Sequence, residues 1–127
     1  VVALATRLPI GCEAFASDLK VISGNRVRYP DVTVVCGGAQ PRDVSVQPRI
    51  VFEVLSPSTA LIDQRVKPHD YRDVPSIEAY VILDQDQPRA MILRRAKDWE
   101  EEPVAGLDGV LDLFETGLEL PMAELYR

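Results

Sequence analysis

Apolar residues lie in short runs rich in β-branched side chains, which is the pattern of buried β-strands. The strongest run covers residues 49–55, and a second run covers residues 32–36. Pro57 prevents the first of these strands from continuing as a central strand, and Ser58 is then a good helix N-cap. The pattern predicts two neighbouring strands followed by a helix from Ser58 to about Arg72.

The rest of the chain also favours strands separated by turns. We predict short strands within 12–22 and at 26–29, a hairpin of 78–84 and 89–95 closed by the turn 85–88, and a closing helical turn at 121–126. A sheet interrupted by one helix indicates an α+β domain with a mixed, largely antiparallel sheet. The length of 127 residues suits a single domain over 1–127.

Composition is that of an ordinary globular protein, with 46% hydrophobic and 27% charged residues. No apolar run approaches the ~18 residues of a membrane span, so we expect no membrane association. The sequence shows no charged-then-apolar signal segment, and a cytoplasmic location is the expectation. Because the chain begins at Val1 instead of Met, we expect an N-terminal piece to precede it.

The net charge of -6 is unevenly distributed. Residues 98–127 contain nine acidic residues and one basic residue, whereas residues 1–97 contain thirteen basic and eleven acidic residues. The body of the chain is therefore mildly basic, although nucleic-acid phosphates generally favour basic surfaces. Global charge neither supports nor excludes a DNA substrate.

Cysteine and histidine content restricts the chemistry. Cys12 and Cys36 are far apart in the sequence and form no C-x-x-C pair, so two reduced thiols are expected. His69 is the single histidine, which leaves too few clustered soft ligands for a zinc site of the usual type. A Ser-His-Asp triad built on His69 lacks a nucleophile motif.

The best chemical candidate is a pair of carboxylates. Glu53 lies within an apolar strand, where a charge costs several kcal/mol unless a partner or a metal compensates it. If strands 32–36 and 50–55 are antiparallel neighbours, Asp31 and Glu53 lie at the same end of the sheet, on one face in the right register. Two such carboxylates repel or recruit a cation, and oxygen ligands suit Mg²⁺ or Mn²⁺.

A basic residue near this pair would complete a hydrolytic site, and Lys67 is the candidate. It follows the Glu53 strand on the predicted helix, one turn beyond Asp63. If this segment folds back over the strand end, the ammonium could stabilise charge on a phosphate or orient the attacking water.

These motifs together resemble the Uma-two family, a bacterial group of restriction-endonuclease-like proteins within the PD-(D/E)xK nuclease superfamily. The resemblance covers roughly residues 11–97 and extends more loosely to Tyr126. It rests on an ordered series: Pro30-Asp31, Glu53-Val54-Leu55-Ser56-Pro57-Ser58-Thr59, Asp63, Lys67, Tyr71 and Val74-Pro75-Ser76-Ile77-Glu78-Ala79-Tyr80. It implies an α/β/α restriction-endonuclease-like core, a divalent metal (Mg²⁺ or Mn²⁺) and hydrolysis of DNA phosphodiester bonds.

The resemblance also assigns roles to individual residues. Asp31 is similar to the metal-binding aspartate of the family, and Glu53 to its second acidic ligand. Leu55 stands where the superfamily usually has its lysine, and Lys67 resembles the migrated replacement found in this family. The first superfamily helix often carries another acidic residue, and that helix would precede Val1.

Several alternatives stay open. The chain could be a catalytically degenerate nuclease that binds DNA or protein, or a structural domain in which Glu53 is ion-paired with an arginine such as Arg28. Tyr71 and Tyr80 are expected in the core or in an interface. Asp63 is expected to pair with Lys67. Ser56 and Ser58 are expected to cap the helix, and the run Glu100–Glu102 is expected to be solvated. We also expect a homodimer, with the edge strand 89–95 pairing with its copy.

Overall fold

A computed structural model describes residues 11–16, 21–23, 26–28, 31–36, 48–55 and 71–126. These residues contain β1 (Cys12–Ala16), β2 (Val21–Ser23), β3 (Arg26–Arg28), β4 (Val32–Cys36), β5 (Pro48–Leu55), β6 (Ala79–Asp84), β7 (Arg89–Arg94), β8 (Glu101–Ala105), β9 (Val110–Leu113), β10 (Leu118–Pro121), a 3-10 helix (Arg95–Lys97) and α1 (Met122–Leu125). Strands dominate, as the short β-branched runs predict.

A mixed sheet forms the centre of the described structure. Its six strands follow the order β1-β4-β5-β6-β7-β8. β5 and β6 are parallel, whereas every other neighbouring pair in this sheet is antiparallel. Parallel neighbours require a long crossover connection, and residues 56–78 provide it. The predicted mixed, largely antiparallel sheet is confirmed.

The two faces of this sheet are covered by different elements. One face, which we name the hairpin face, packs against the β9–β10 hairpin and α1. Its buried cluster consists of Val34, Ile50, Phe52, Ala79, Val81, Ala90, Ile92, Leu111, Leu113, Leu118, Leu120 and Met122. The opposite face, which also carries Glu53 and which we name the site face, has a second buried cluster. It is made of Val51, Leu55, Tyr71, Ile77, Tyr80, Ile82, Leu93 and Trp99. Each fully buried large apolar side chain contributes roughly 1.5–3 kcal/mol, so both faces stabilise the sheet.

The hairpin face also buries one arginine, Arg94, which is 2% exposed. Its Nη1 donates to Glu115 Oε1 at 2.8 Å, and its Nη2 donates to Glu102 Oε2 at 2.9 Å. The guanidinium also bonds to the carbonyl of Asp112 and lies 4.5 Å from the ring centroid of Phe114. Arg94 therefore fastens the β9–β10 hairpin to the central sheet with its charge neutralised.

The expectation of two reduced thiols is wrong in this structure. Cys12 and Cys36 form a disulfide across the antiparallel strands β1 and β4. Their Cα atoms are 4.0 Å apart because the strand register places the two residues directly opposite each other. A separation of 24 residues gives no local sign of this register.

The expectation that strand 89–95 is an edge is also wrong. β7 pairs with β6 on one side and with β8 on the other. The outer strand of this part of the sheet is β8, which carries Glu101 and Pro103. Acidic residues and proline disfavour pairing between sheet edges, so the predicted homodimer loses the strand on which it was based.

The helices are described in part. Residues 71–72 are helical, and most of the helix predicted from Ser58, including Asp63 and Lys67, lies outside the described residues. The closing helical turn is confirmed as α1, with Pro121 at its N-cap. None of the helices that the structure describes is long and apolar enough to cross a membrane. The two helical layers of an α/β/α sandwich stay a prediction.

Candidate functional site

Asp31 lies immediately before β4, at the end of the sheet where β5 finishes. Its Oδ2 accepts a hydrogen bond of 2.7 Å from the backbone N–H of Val54. Its Oδ1 makes no hydrogen bond within the described part of the chain. One carboxylate oxygen thus fixes Asp31 against β5, and the other is open to a ligand.

Glu53 lies inside β5 and is 4% exposed. Alternation along the strand puts its side chain on the site face with those of Val51 and Leu55, because successive side chains point to opposite faces. The hydroxyl of Tyr71 donates a hydrogen bond of 2.8 Å to Glu53 Oε1. The carboxylate is therefore oriented by a side chain that packs in the same apolar cluster.

The register of β4 and β5 brings the two acids to one corner of the sheet. Val32, the first residue of β4, pairs with Phe52. Extending this register by one residue beyond the strand would bring Asp31 opposite Glu53. Opposed residues of an antiparallel pair share a face, with their Cβ atoms about 4.5–5.5 Å apart. The antiparallel pairing on which the predicted carboxylate pair depended is confirmed.

A divalent cation suits this donor set. Mg²⁺ commonly binds through one or two carboxylates and keeps several of its waters, so Asp31 and Glu53 could hold it together with water. Within the described residues there is no group of three or more His, Cys, Asp or Glu side chains placed to hold a metal.

Asp84, at the end of β6, has a structural role. Its Oδ1 accepts hydrogen bonds from the backbone N–H of Asp86 at 2.8 Å and of Gln87 at 3.1 Å. These two bonds lower the pKa of Asp84 below its ordinary value. The carboxylate holds the turn between β6 and β7 and is not a candidate ligand.

Two residues bear on the predicted basic group. Leu55 is 6% exposed and packs in the cluster of the site face, so an apolar side chain fills the strand position two residues beyond Glu53. Lys67 lies outside the described residues, and its role stays a prediction. The Arg28 side chain, proposed as an ion-pair partner of Glu53, also lies outside the described part.

Tyr71 has a role that sequence reasoning missed. It was expected in the core, and it is indeed 0% exposed, with its ring 5.0 Å from that of Tyr80. Its hydroxyl also contacts Glu53, which is 18 residues earlier in the chain. A tyrosine in an apolar pattern carries no local sign of the acid that its hydroxyl will meet.

Comparisons with known proteins give the chain a family. The family model Uma2, described as "Putative restriction endonuclease", matches residues 2–123. One uncharacterized protein of Synechocystis sp. is 40% identical over 125 residues, covering 91% of this chain and 64% of that protein. A second uncharacterized Synechocystis protein is 33% identical over 79 residues, covering 58% of this chain and 45% of that protein. The chain thus spans less than two thirds of the length of either relative.

A solved structure supports the same grouping at the level of fold. The crystal structure of a putative nuclease belonging to DUF820 from Anabaena variabilis has a TM-score of 0.69 to this chain and 19% sequence identity. The similarity covers 91% of this chain and 68% of the nuclease. The fold described above is therefore shared with that protein and is consistent with a restriction-endonuclease-like fold. The chain belongs to the Uma2 family.

Proposed function

We propose that this domain is a metal-dependent endonuclease of the PD-(D/E)xK type that hydrolyses DNA phosphodiester bonds. The observation that carries the proposal is the antiparallel pairing of β4 with β5, in which Val32 lies opposite Phe52. Extending this register by one residue would bring Asp31 opposite Glu53 on one face of the sheet. Membership of a family described as restriction endonucleases supports it independently.

The two carboxylates would hold Mg²⁺ or Mn²⁺. When bound, such an ion lowers the pKa of a coordinated water and polarises the scissile phosphate. The Val54 N–H fixes the orientation of Asp31, and the Tyr71 hydroxyl fixes that of Glu53.

Hydrolysis needs a water molecule aligned with the bond that breaks. The water oxygen forms a bond to phosphorus, the bond from phosphorus to one ester oxygen breaks, and that oxygen leaves with a proton. We assign to Lys67 the task of orienting the water or of offsetting charge on the phosphate. Leu55, on the strand beside Glu53, offers no charge for that task.

A cleavage assay on supercoiled plasmid tests the proposal. With Mg²⁺ or Mn²⁺, the wild-type chain should nick or linearise the plasmid, and chelation should stop the reaction. Asp31→Asn and Glu53→Gln should lower the rate at least about 100-fold, the usual scale for losing one stabilising group. Asp112→Asn, an exposed acid on the β9–β10 hairpin, is the matched control and should keep wild-type activity. Equal rates in all four proteins would refute the site.

The alternative is a degenerate nuclease that binds DNA or protein without cutting. The apolar Leu55 at the usual lysine position is the observation that favours it. Metal binding that depends on Glu53, combined with no cleavage of any DNA form, would support this alternative over the enzyme.

A further inference from the structure

A pocket lies at the opposite end of the sheet from Asp31 and Glu53. It opens where β4 and β7 end and where β5 begins, and its volume is about 510 Å³. The described residues that line it are Cys36, Arg49, Pro75, Ser76, Glu78 and Arg95. Two arginines and one acid give the described part of this lining a net positive charge.

Arg95 is held rigidly by groups that carry no formal charge. Its Nε donates to the carbonyl of Ile77 at 2.9 Å, and its Nη2 donates to the carbonyls of Val74 at 2.9 Å and Arg72 at 3.2 Å. The ring centroid of Trp99 lies 4.9 Å from the guanidinium. These contacts fix the side chain without neutralising it.

The Nη1 group of Arg95 remains available to a ligand. Its two N–H donors make no hydrogen bond to the residues that the structure describes, and no described carboxylate forms an ion pair with Arg95. Arg49, in contrast, is ion-paired with Glu78 and also donates to the carbonyl of Glu115. The pocket therefore combines one neutralised arginine with one that keeps its full charge.

We propose that this pocket binds a phosphodiester group of the DNA, away from the bond that is cut. The proposal rests on the proposed function. A planar guanidinium suits phosphate oxygens, and a donor that is already immobilised loses little entropy when the ligand binds. Arg95 is thus a binding residue, and Glu78 limits the positive charge that the pocket offers.

The spacing along β5 fits a DNA strand. Arg49 and Glu53 are four residues apart, which is about 13 Å along a strand. A single DNA strand carries one phosphate for every ~3.4 Å of helix axis, so the pocket lies about four nucleotides from the carboxylate pair. A strand bound at both places would cross the domain along the direction of β5.

DNA binding measured by fluorescence anisotropy on a labelled duplex, in EDTA and over a range of salt concentrations, tests the pocket separately from cleavage. Arg95→Gln should weaken binding roughly tenfold and reduce the slope of log affinity against log salt by about 0.9. Glu78→Gln removes the acid of the pocket and should tighten binding. The control Lys97→Gln removes one exposed cation outside the pocket and should change the affinity about twofold or less.

The two variants should change the DNA affinity in opposite directions, which separates an effect on binding from an effect on folding. A loosened turn at residues 72–77 cannot explain tighter binding by Glu78→Gln. Unchanged or weakened binding by Glu78→Gln, or an Arg95→Gln affinity equal to that of the control, would overturn the pocket while leaving the cleavage result intact. Inorganic phosphate is the second probe. Displacement of the duplex by micromolar phosphate would identify a small-anion site and overturn the assignment to DNA, whereas no displacement by millimolar phosphate supports it.

Discussion

Among the described residues, Arg94 on the hairpin face and Glu53 on the site face are both buried, and their side chains bond to different kinds of groups. On the hairpin face, Arg94 bonds to two carboxylates, Glu102 and Glu115, which neutralise it. On the site face, Glu53 accepts a hydrogen bond from the neutral hydroxyl of Tyr71. The contacts of Arg94 join β7 to β8 and to the β9–β10 hairpin. The contact from Tyr71 orients a carboxylate that we propose as a metal ligand.

The largest loss of stability is expected when Arg94 on the hairpin face is replaced. Arg94→Met leaves the Glu115 carboxylate buried without its guanidinium, and breaking a buried pair in this way costs about 3–5 kcal/mol. Urea unfolding followed by circular dichroism measures the loss. Arg89→Met is the matched control, because Arg89 is exposed and its pair with Asp84 is long at 3.4 Å. That variant should lose at most about 1 kcal/mol. A similar loss in both variants would remove the contrast between the faces.

The second largest effect is expected on Mn²⁺ affinity, when the hydrogen bond from Tyr71 to Glu53 is removed. Tyr71→Phe keeps the buried ring and deletes the hydroxyl that orients Glu53, so Mn²⁺ affinity should fall about 10–100-fold. Stability should fall by only about 1 kcal/mol.

Tyr126→Phe is the control for Tyr71→Phe. Its hydroxyl bonds to the carbonyls of Asp84 at 2.7 Å and Arg89 at 3.0 Å, far along the chain from Glu53. It should lose similar stability and keep wild-type Mn²⁺ affinity. If the two variants lost metal affinity equally, Tyr71 would be a packing residue and not a positioning residue.

The smallest effect is a pH dependence of the hairpin face. The hydrogen bond from Arg94 lowers the pKa of Glu102 below its ordinary 4.5, against the partial burial that raises it. A lowered folded-state pKa gives stability that is present above pH 4.5 and is lost as the pH falls through the folded-state value. The difference in Tm between wild type and Glu102→Gln should therefore be constant at neutral pH and shrink below pH 4.5. A difference that grew on acidification would contradict the ion pair.

Most strands could be predicted from sequence because their signals are local. The apolar run of β5, the turn at 85–88 and the closing turn at Pro121 all appear at the expected places. The pairing of β4 with β5 could also be inferred, since the two runs are strong and separated by one loop. The antiparallel pairing is confirmed, and the metal site of Asp31 and Glu53 that was inferred from it stays a prediction.

The features that were missed are contacts between distant parts of the chain. The Cys12–Cys36 disulfide and the Tyr71–Glu53 hydrogen bond depend on strand register and on crossover packing, which no local window contains. Glu102 was expected in a solvated run, but β8 places it beside Arg94. The same strand covers β7, which is why the expected edge was wrong.

Calorimetry with Mn²⁺ on the wild-type chain and on Glu53→Gln tests the carboxylate site most directly. Asp112→Asn is the matched control for the loss of one acid. We expect one Mn²⁺ site in the wild type and in the control, and loss of binding in Glu53→Gln with unfolding behaviour close to that of the wild type. Equal Mn²⁺ binding by all three proteins would contradict a metal site formed by Asp31 and Glu53.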